Sequence, residues 1–502
     1  MRLLACLMLF SSAAFADADL IIRNAMIVDG TGADAYPGHI VVEDGVISEV
    51  LAPNATTTAK RVIDAKGRVV APGFIDLHSH GNPLKHSFEN FLAQGVTTVT
   101  LGMDGSSESL TGSGLDAWRT KATKNGLELN VIPMSGHGTV RHKAGIDDGT
   151  RALSAPQIKA LQQTLKDDLA AGSFGLSLGL EYVPGVYAEE AEMKALGAVI
   201  EAENAIIMSH MRSEDNADVE DAIDELVSMA PKGRVHISHL KVVYGKGTAR
   251  ADELLAFMEG KRVSGARLSA DVYPYAASFT GVGILFPEWA LPPTDYNALR
   301  QTRDDELKAY LKARIEKRGG PEALLFGTAP HAGKTMAEAA RDAGKDPVDF
   351  MADLGPTGGS AAHFVMDRTL VDRLVAAPGM ALSTDGSPTM RHPRGYGTYA
   401  RLIEYYVQDK SLMSLEAAVH KATGLPAEIM QLSDRGIISP GMAADLIIFE
   451  PANVRERTNF TTPHKLATGF DMVLVGGKTA FEVGGPTKAR SGQVLERRPS
   501  PL

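Results

Sequence analysis

Cysteine is almost absent from this chain: Cys6 is the only one, and it lies among the first residues. Residues 17–502 therefore have no disulfide, no Cys₄ zinc site and no cysteine nucleophile. Long apolar runs are missing as well. No stretch of about 20 consecutive apolar residues is available to span a bilayer, which excludes a membrane span from the reading. Basic excess is lacking too: 51 Lys and Arg stand against 61 Asp and Glu, a formal net charge of −10. No basic field exists to attract phosphate, which argues against nucleic acid and anionic membrane surfaces as partners. The remainder, 44% hydrophobic and 22% charged residues, is the balance of an ordinary soluble globular enzyme. A length of 502 residues exceeds one small domain. A barrel of roughly 250–400 residues with a smaller companion accounts for it. Fifty glycines suit a fold with many tight strand–helix turns.

The first residues read as an address label. Arg2 supplies a positive charge, residues 3–10 form an apolar core, and Ala14-Phe15-Ala16 is an A-x-A cleavage signal before Asp17. Residues 1–16 are expected to be a signal peptide, and the mature protein to be exported, periplasmic or secreted from a bacterium. Leu3-Leu4-Ala5-Cys6 resembles a lipoprotein box, but almost no apolar core precedes it, which argues against lipidation.

Short β-rich runs split by Asp-Gly and Lys-Gly turns occupy residues 20–28, 39–47 and 68–70, and a matching set appears at 445–449 and 472–477. One small β-sandwich domain assembled from both termini, residues 17–73 and 436–502, is expected. Between them, residues 74–435 alternate apolar runs of four to eight residues with longer amphipathic stretches, the pattern of βα units in a parallel sheet. Eight strands are predicted, at 74–80, 97–103, 130–136, 173–180, 205–212, 235–241, 267–275 and 380–386. Eight such units close into a (β/α)₈ TIM-type barrel with its reactive groups at the strands' C-terminal ends. Residues from about 285 to 356 have no place in that count and read as a lid-like insertion or a solvated helical excursion.

The first predicted strand ends Asp76-Leu77-His78-Ser79-His80. Residues two apart on a strand point to one side, so His78 and His80 are expected to face the same way and grip one divalent cation. His210 closes the fifth strand, His236 and His239 the sixth, and Asp385 the eighth. Packing alone does not produce such a set. His236, His363 and His420 look instead like hydrogen-bonded core residues, and for His137 a supporting role beside the site and plain loop packing stay open.

These residues, with longer runs around them, make the chain resemble the amidohydrolase superfamily and, within it, the D-aminoacylase (N-acyl-D-amino-acid deacylase) family. The runs are Ala71-Pro72-Gly73-Phe74-Ile75-Asp76-Leu77-His78-Ser79-His80, Gln94-Gly95-Val96-Thr97-Thr98-Val99 and Gly136-His137-Gly138-Thr139-Val140-Arg141. Further on stand Gly179-Leu180-Glu181-Tyr182-Val183-Pro184-Gly185, Asp271-Val272-Tyr273-Pro274-Tyr275, His392-Pro393-Arg394-Gly395-Tyr396-Gly397-Thr398 and Pro440-Gly441-Met442-Ala443-Ala444-Asp445-Leu446. One departure matters. Where the family carries a zinc-ligating cysteine after the second strand, this chain has Asp104 in Gly102-Met103-Asp104-Gly105. A carboxylate binds zinc but is harder than thiolate and admits other divalent metals, so Zn²⁺, Mn²⁺ and Co²⁺, and one or two ions, all stay open. Glu181 is a second oxygen-ligand candidate. The fourth strand has no lysine, which argues against a carbamylated-lysine bridge.

The resemblance implies metal-dependent hydrolysis of the amide of N-acyl-D-amino acids or D-residue dipeptides. A metal held by His210, His239 and Asp104 would acidify a bound water, and Asp385 would serve as general base and then general acid. A small-molecule substrate with an α-carboxylate needs a cation, for which Arg394 and Lys241 lie just beyond the eighth and sixth strands. By resemblance Tyr273 and Ser278 join them. Another amidohydrolase, acting on a cyclic amide or related C–N bond, would leave Arg394 and Lys241 unexplained. A catalytically dead barrel used for binding would be expected to lose Asp385 or the His78/His80 pair. The acyl group, side-chain preference, chirality filter and oligomeric state are left open.

Overall fold

Val96–Leu101 and Ile206–His210 are buried at every position, as strands covered on both faces must be. They belong to a ring of eight parallel strands in the computed structural model, which describes residues 18–497. The expected signal peptide, residues 1–16, lies outside the described residues. In chain order the ring strands are Phe74–Asp76, Val96–Leu101, Asn130–Pro133, Gly175–Gly179, Ile206–His210, Arg234–Ile237, Arg267–Val272 and Met380–Leu382. Ser135–Gly136 prolongs the third strand onto the fourth. Closure is made by a parallel bridge between Ser79 and Gly386, where the Asp385 amide donates to the His78 carbonyl at 2.8 Å and the His80 amide to Gly386 at 2.7 Å. The fold is a (β/α)₈ barrel.

The outer helices are amphipathic for readable reasons. Val219–Met229 buries Val219, Ile223 and Leu226, spaced four and three apart, and carries Glu220 and Asp221 in its first turn, where they face the positive end of the helix dipole. Ala155–Ala170 starts with a reciprocal Ser154/Gln157 capping box.

Strands from both ends of the chain form a single nine-stranded sheet, with Leu446–Phe449 pairing antiparallel with Val69–Pro72. Leu20, Ile22, Ile40 and Val42 from the N-terminal side share one core with Leu446, Ile448 and Leu474 from the C-terminal side. The strands are hydrogen-bonded into one sheet that curls back, so that Gly45 and Ile47 bond to Ala444, Met442 and Gly441. It joins the base of the barrel through Asp445, which takes Asn130 Nδ2 at 2.9 Å and Arg435 at 2.6 Å.

Between the seventh and eighth strands lies a unit bounded by the strands Ser278–Gly281 and Ser360–His363, which contains residues 285–356. These pair with each other and with Leu324–Phe326, and helices including Asp304–Lys317 and Pro347–Leu354 cover them. The unit has its own core of Leu307, Leu311, Ile315, Phe326 and Met351. It is tied to the barrel by Lys317 and Arg314, at 2.8 and 3.4 Å from Asp215.

Candidate metal centre

Most of the strands end one to four residues earlier than the sequence pattern suggests, and apart from His210, which closes its own strand, the chemistry-bearing residues follow them. His78 and His80 lie past the first strand, which stops at Asp76. Strand alternation therefore does not orient them, and this corrects the expectation. Their rings nevertheless converge, with centroids 5.1 Å apart, through the closing bridge at Ser79. Asp104, His239 and Asp385 adopt left-handed backbone, with φ of 52°, 39° and 46°. Such conformations are unfavourable for side-chain-bearing residues and gather at functional sites. Asp271 helps to hold His239 there: its carboxylate accepts from the His239 amide at 2.8 Å, from His236 Nε2 at 2.7 Å and from the Ser383 hydroxyl.

Two groups of side chains could hold metal. His78, Asp104, His239 and Asp385 bring ligand atoms within 4.8 Å of one another, and so do His210, Glu214 and His239. Asp104 is central. Its Oδ1 lies 3.3 Å from both His78 Nε2 and His239 Nε2, and its Oδ2 lies 3.4 Å from His80 Nε2. His239 Nε2 is 3.2 Å from His210 Nδ1, and Asp385 Oδ1 is 3.2 Å from His80 Nε2. Both ring nitrogens of His78 are buried without a hydrogen-bond partner. Buried imidazole of that kind is rare unless something binds it, so the residues present fit a divalent cation. Glu181 belongs to neither group. It accepts from His210 Nε2 at 3.0 Å.

The electrostatics are those of a site charged with acids and cations at close quarters. Burial works against the charge on Asp104, yet His78 and then His239 hold its carboxyl well below the usual range. Burial likewise opposes Asp385, but Arg394 beside it at 2.9 Å and then His239 keep it ionised. For His80, burial opposes protonation, while hydrogen bonds to Asp104 and Asp385 raise it to about 10. Burial pushes His78 down. A bound cation would replace the protons on these imidazoles.

Lys241 and Arg394 are buried in the cavity wall, as a site for an α-carboxylate requires, and each already faces a carboxylate. Lys241 Nζ donates to Glu214 at 2.5 Å and Arg394 approaches Asp385. Tyr273 sits between them, 5.7 Å from Lys241 and 4.7 Å from Arg394 by ring centroid. Ser278 lines the cavity of ≈ 310 Å³. His236, His363 and His420 are core or packing residues, and His137 is buried against Glu192 at 2.7 Å.

Sequence reasoning missed Glu214, four residues beyond His210, which accepts from Lys241 and lies 3.3 Å from His239 Nδ1. It also missed the hydroxyl of Tyr182, 3.2 Å from His210 Nδ1. An acid shortly after a strand-end histidine was the available signal for Glu214. Tyr182 stood inside a family-like run without a role.

A parallel eight-stranded barrel with imidazoles and carboxylates converging at the C-terminal ends of its strands defines the metal-dependent hydrolase class of barrel. The amidohydrolase family model matches residues 61–481, and the chain belongs to that family. It is 31% identical to the N-acyl-D-glutamate deacylase of Alcaligenes xylosoxydans xylosoxydans over 95% of this chain and 96% of that one. The D-aminoacylase of the same organism is 29% identical, over 95% of this chain and 98% of that one. Among solved structures, the N-acyl-D-glutamate deacylase of Bordetella bronchiseptica, complexed with zinc and a phosphonate mimic of the tetrahedral intermediate, is similar with a TM-score of 0.82. That match is 29% identical and covers 96% of this chain and 100% of that one.

Proposed function

We propose that this protein is a zinc-type metal-dependent deacylase that hydrolyses the amide bond of N-acyl-D-amino acids or D-residue dipeptides, releasing a free D-amino acid. The observation that carries the reading is the convergence of His78, Asp104, His239 and Asp385 within 4.8 Å, with Arg394 against Asp385 in the same cavity. The deacylase relatives of nearly the same length support it.

His78, His80, Asp104, His210 and His239 would hold one or two divalent ions, with Asp104 between the two sets of imidazoles. A divalent ion there supplies Lewis acidity, polarising a carbonyl and making water acidic near pH 7. Asp385, kept anionic by Arg394, takes a proton from the water that attacks the carbonyl carbon. It then gives that proton to the amide nitrogen as the C–N bond breaks, because an amide nitrogen is a poor leaving group until protonated. Arg394, Lys241 and Ser278 give the cavity a side suited to the substrate's α-carboxylate, with Tyr273 packed between the two cations.

A panel of N-acetyl-D- and N-acetyl-L-amino acids and cyclic amides, assayed with Zn²⁺, Mn²⁺ or Co²⁺, tests the reading. Turnover of the D series is expected; turnover confined to L substrates or cyclic amides would overturn it. Export is proposed as well, on the strength of Ala14-Phe15-Ala16. Mass spectrometry of protein from its native cell should find an N-terminus at Asp17, and an intact Met1 on the bulk of the protein would refute export.

A further inference from the structure

His210 and His239 each turn one ring nitrogen toward the other and toward Asp104, and one away. On the near side His239 Nε2 lies 3.2 Å from His210 Nδ1 and 3.3 Å from Asp104 Oδ1. Each far nitrogen meets an acid of its own. His210 Nε2 is 3.0 Å from Glu181, and His239 Nδ1 is 3.3 Å from Glu214. Glu214 is the more deeply buried of the two acids, its side chain 6% exposed against 21%, so water is less able to take its place. It stands behind His239, on the side away from Asp104.

Glu214 has a second partner. Its Oε1 accepts from Lys241 Nζ at 2.5 Å, the only ion pair of Lys241 among the described residues, and Lys241 Nζ is itself 2.8 Å from His239 Nδ1. The backbone fixes this triangle. The Val243 amide donates to the Glu214 carbonyl at 2.8 Å and Asp215 bridges to Val243, which knits the chain after the fifth strand to the chain after the sixth. An imidazole that gives its Nε2 lone pair to a cation carries its one proton on Nδ1, and an ammonium can only donate. Two donors then face each other, and Glu214 Oε1 is an acceptor within reach of both.

We propose that Glu214 is a positioning residue that serves the metal and the substrate at once. It accepts the Nδ1 proton of His239, which aims Nε2 at the cation, and it holds the Lys241 ammonium where the α-carboxylate arrives. The half concerning Lys241 rests on the deacylase reading; the half concerning His239 rests only on the metal centre.

Two quantities are measured for wild type, Glu214→Gln and Lys241→Met. One is zinc affinity, by competition with a chromogenic chelator; the other is KM at saturating zinc, on an N-acetyl-D-amino acid that wild type turns over. Glu214→Gln should weaken zinc binding about 10–100-fold, the scale for losing a carboxylate that orients a metal-ligating imidazole, and should raise KM. Lys241→Met should raise KM but leave zinc affinity within about threefold of wild type, or tighten it, because the acceptor is left to His239 alone. A purely structural ion pair would not give this asymmetry, since breaking it from either side disturbs the same packing. Glu214→Asp keeps the charge on a shorter stem. Its zinc affinity should fall between wild type and Glu214→Gln, and it serves if the glutamine variant does not fold. Zinc affinity of Glu214→Gln within about threefold of wild type, far short of the loss expected of an orienting carboxylate, overturns the proposal. Zinc binding weakened as much in Lys241→Met as in Glu214→Gln overturns it too. Weakened zinc binding with an unchanged KM in Glu214→Gln overturns the half concerning Lys241. Wild type that binds zinc but turns over no N-acetyl-D-amino acid overturns the deacylase reading, while the zinc comparison still decides the role of Glu214 toward His239.

Discussion

Two buried carboxylate–guanidinium pairs stand at opposite ends of the barrel, and they are finished differently. At the base, Asp445 accepts from Arg435 at 2.6 Å, Asn130 Nδ2 at 2.9 Å and the Gly476 amide at 2.8 Å. The network is closed, and it holds the composite sheet to the first residue of the third strand. At the mouth, Arg394 Nη1 lies 2.9 Å from Asp385 and His78 Nε2 3.3 Å from Asp104, but neither contact is an aligned hydrogen bond, and Arg394 Nε and His78 Nδ1 have no partner at all. Three of the residues there also carry left-handed backbone. A structural ion pair completes its own bonding, whereas the mouth leaves polar atoms aimed at something that arrives later.

The largest effect should come from removing the carboxylate at the middle of the mouth. Asp104→Ala is expected to lose bound metal and activity together, because the neutral imidazoles left around it hold a divalent ion weakly. Glu181→Ala should retain most of its metal, since that carboxylate lies outside both ligand groups. Asp104→Cys should restore binding with a preference shifted toward zinc, thiolate being the softer ligand. Elemental analysis of the three purified variants decides between the carboxylates: a full site in Asp104→Ala beside an empty one in Glu181→Ala would reverse the assignment.

A smaller loss is expected when the metal stays but the proton carrier goes. Asp385→Asn keeps the side chain's shape and removes its basicity, so kcat should fall at least about 10²-fold, the low end for general acid–base catalysis. Metal content should remain largely intact. Activity within a few-fold of wild type would take Asp385 out of the mechanism and make the Asp385–Arg394 pair as structural as the one at the base.

Much of this was legible in the sequence, for local reasons. The eight apolar runs give the strands because a strand buried on both faces has to be apolar along its whole length. His78, His80, His210, His239 and Asp385 announce themselves by falling at the ends of those runs. The illegible part depends on partners that only the closed ring brings together. Lys241 meets Glu214 from 27 residues away, and Ser383 meets Asp271 from 112 away. No local pattern encodes either contact. The left-handed turns at Asp104, His239 and Asp385 likewise break the strand period, so the predicted strands run too long.

The smallest effect sharpens the comparison from the other end. Asp445→Asn preserves the hydrogen bond from the Gly476 amide but removes the negative charge facing Arg435, whose side chain is 6% exposed. Breaking a buried pair by neutralising one partner costs about 3–5 kcal/mol when the other charge is stranded. Arg435 is not fully stranded, because Asp434 also lies 3.1 Å away, although that acid is 43% exposed and screened by solvent. The loss should therefore fall near or below the lower figure, about 2–3 kcal/mol, and appear as a melting temperature lowered by several degrees. Turnover per folded molecule should stay within about twofold of wild type, because Asp445 meets the barrel at Asn130, where the third strand begins, and the chemistry lies where the strands end. Thermal unfolding and kcat measured on the same preparations test both halves. A variant that melts normally but loses turnover would mean that the base network shapes the active site, and that the two pairs are coupled along the strands.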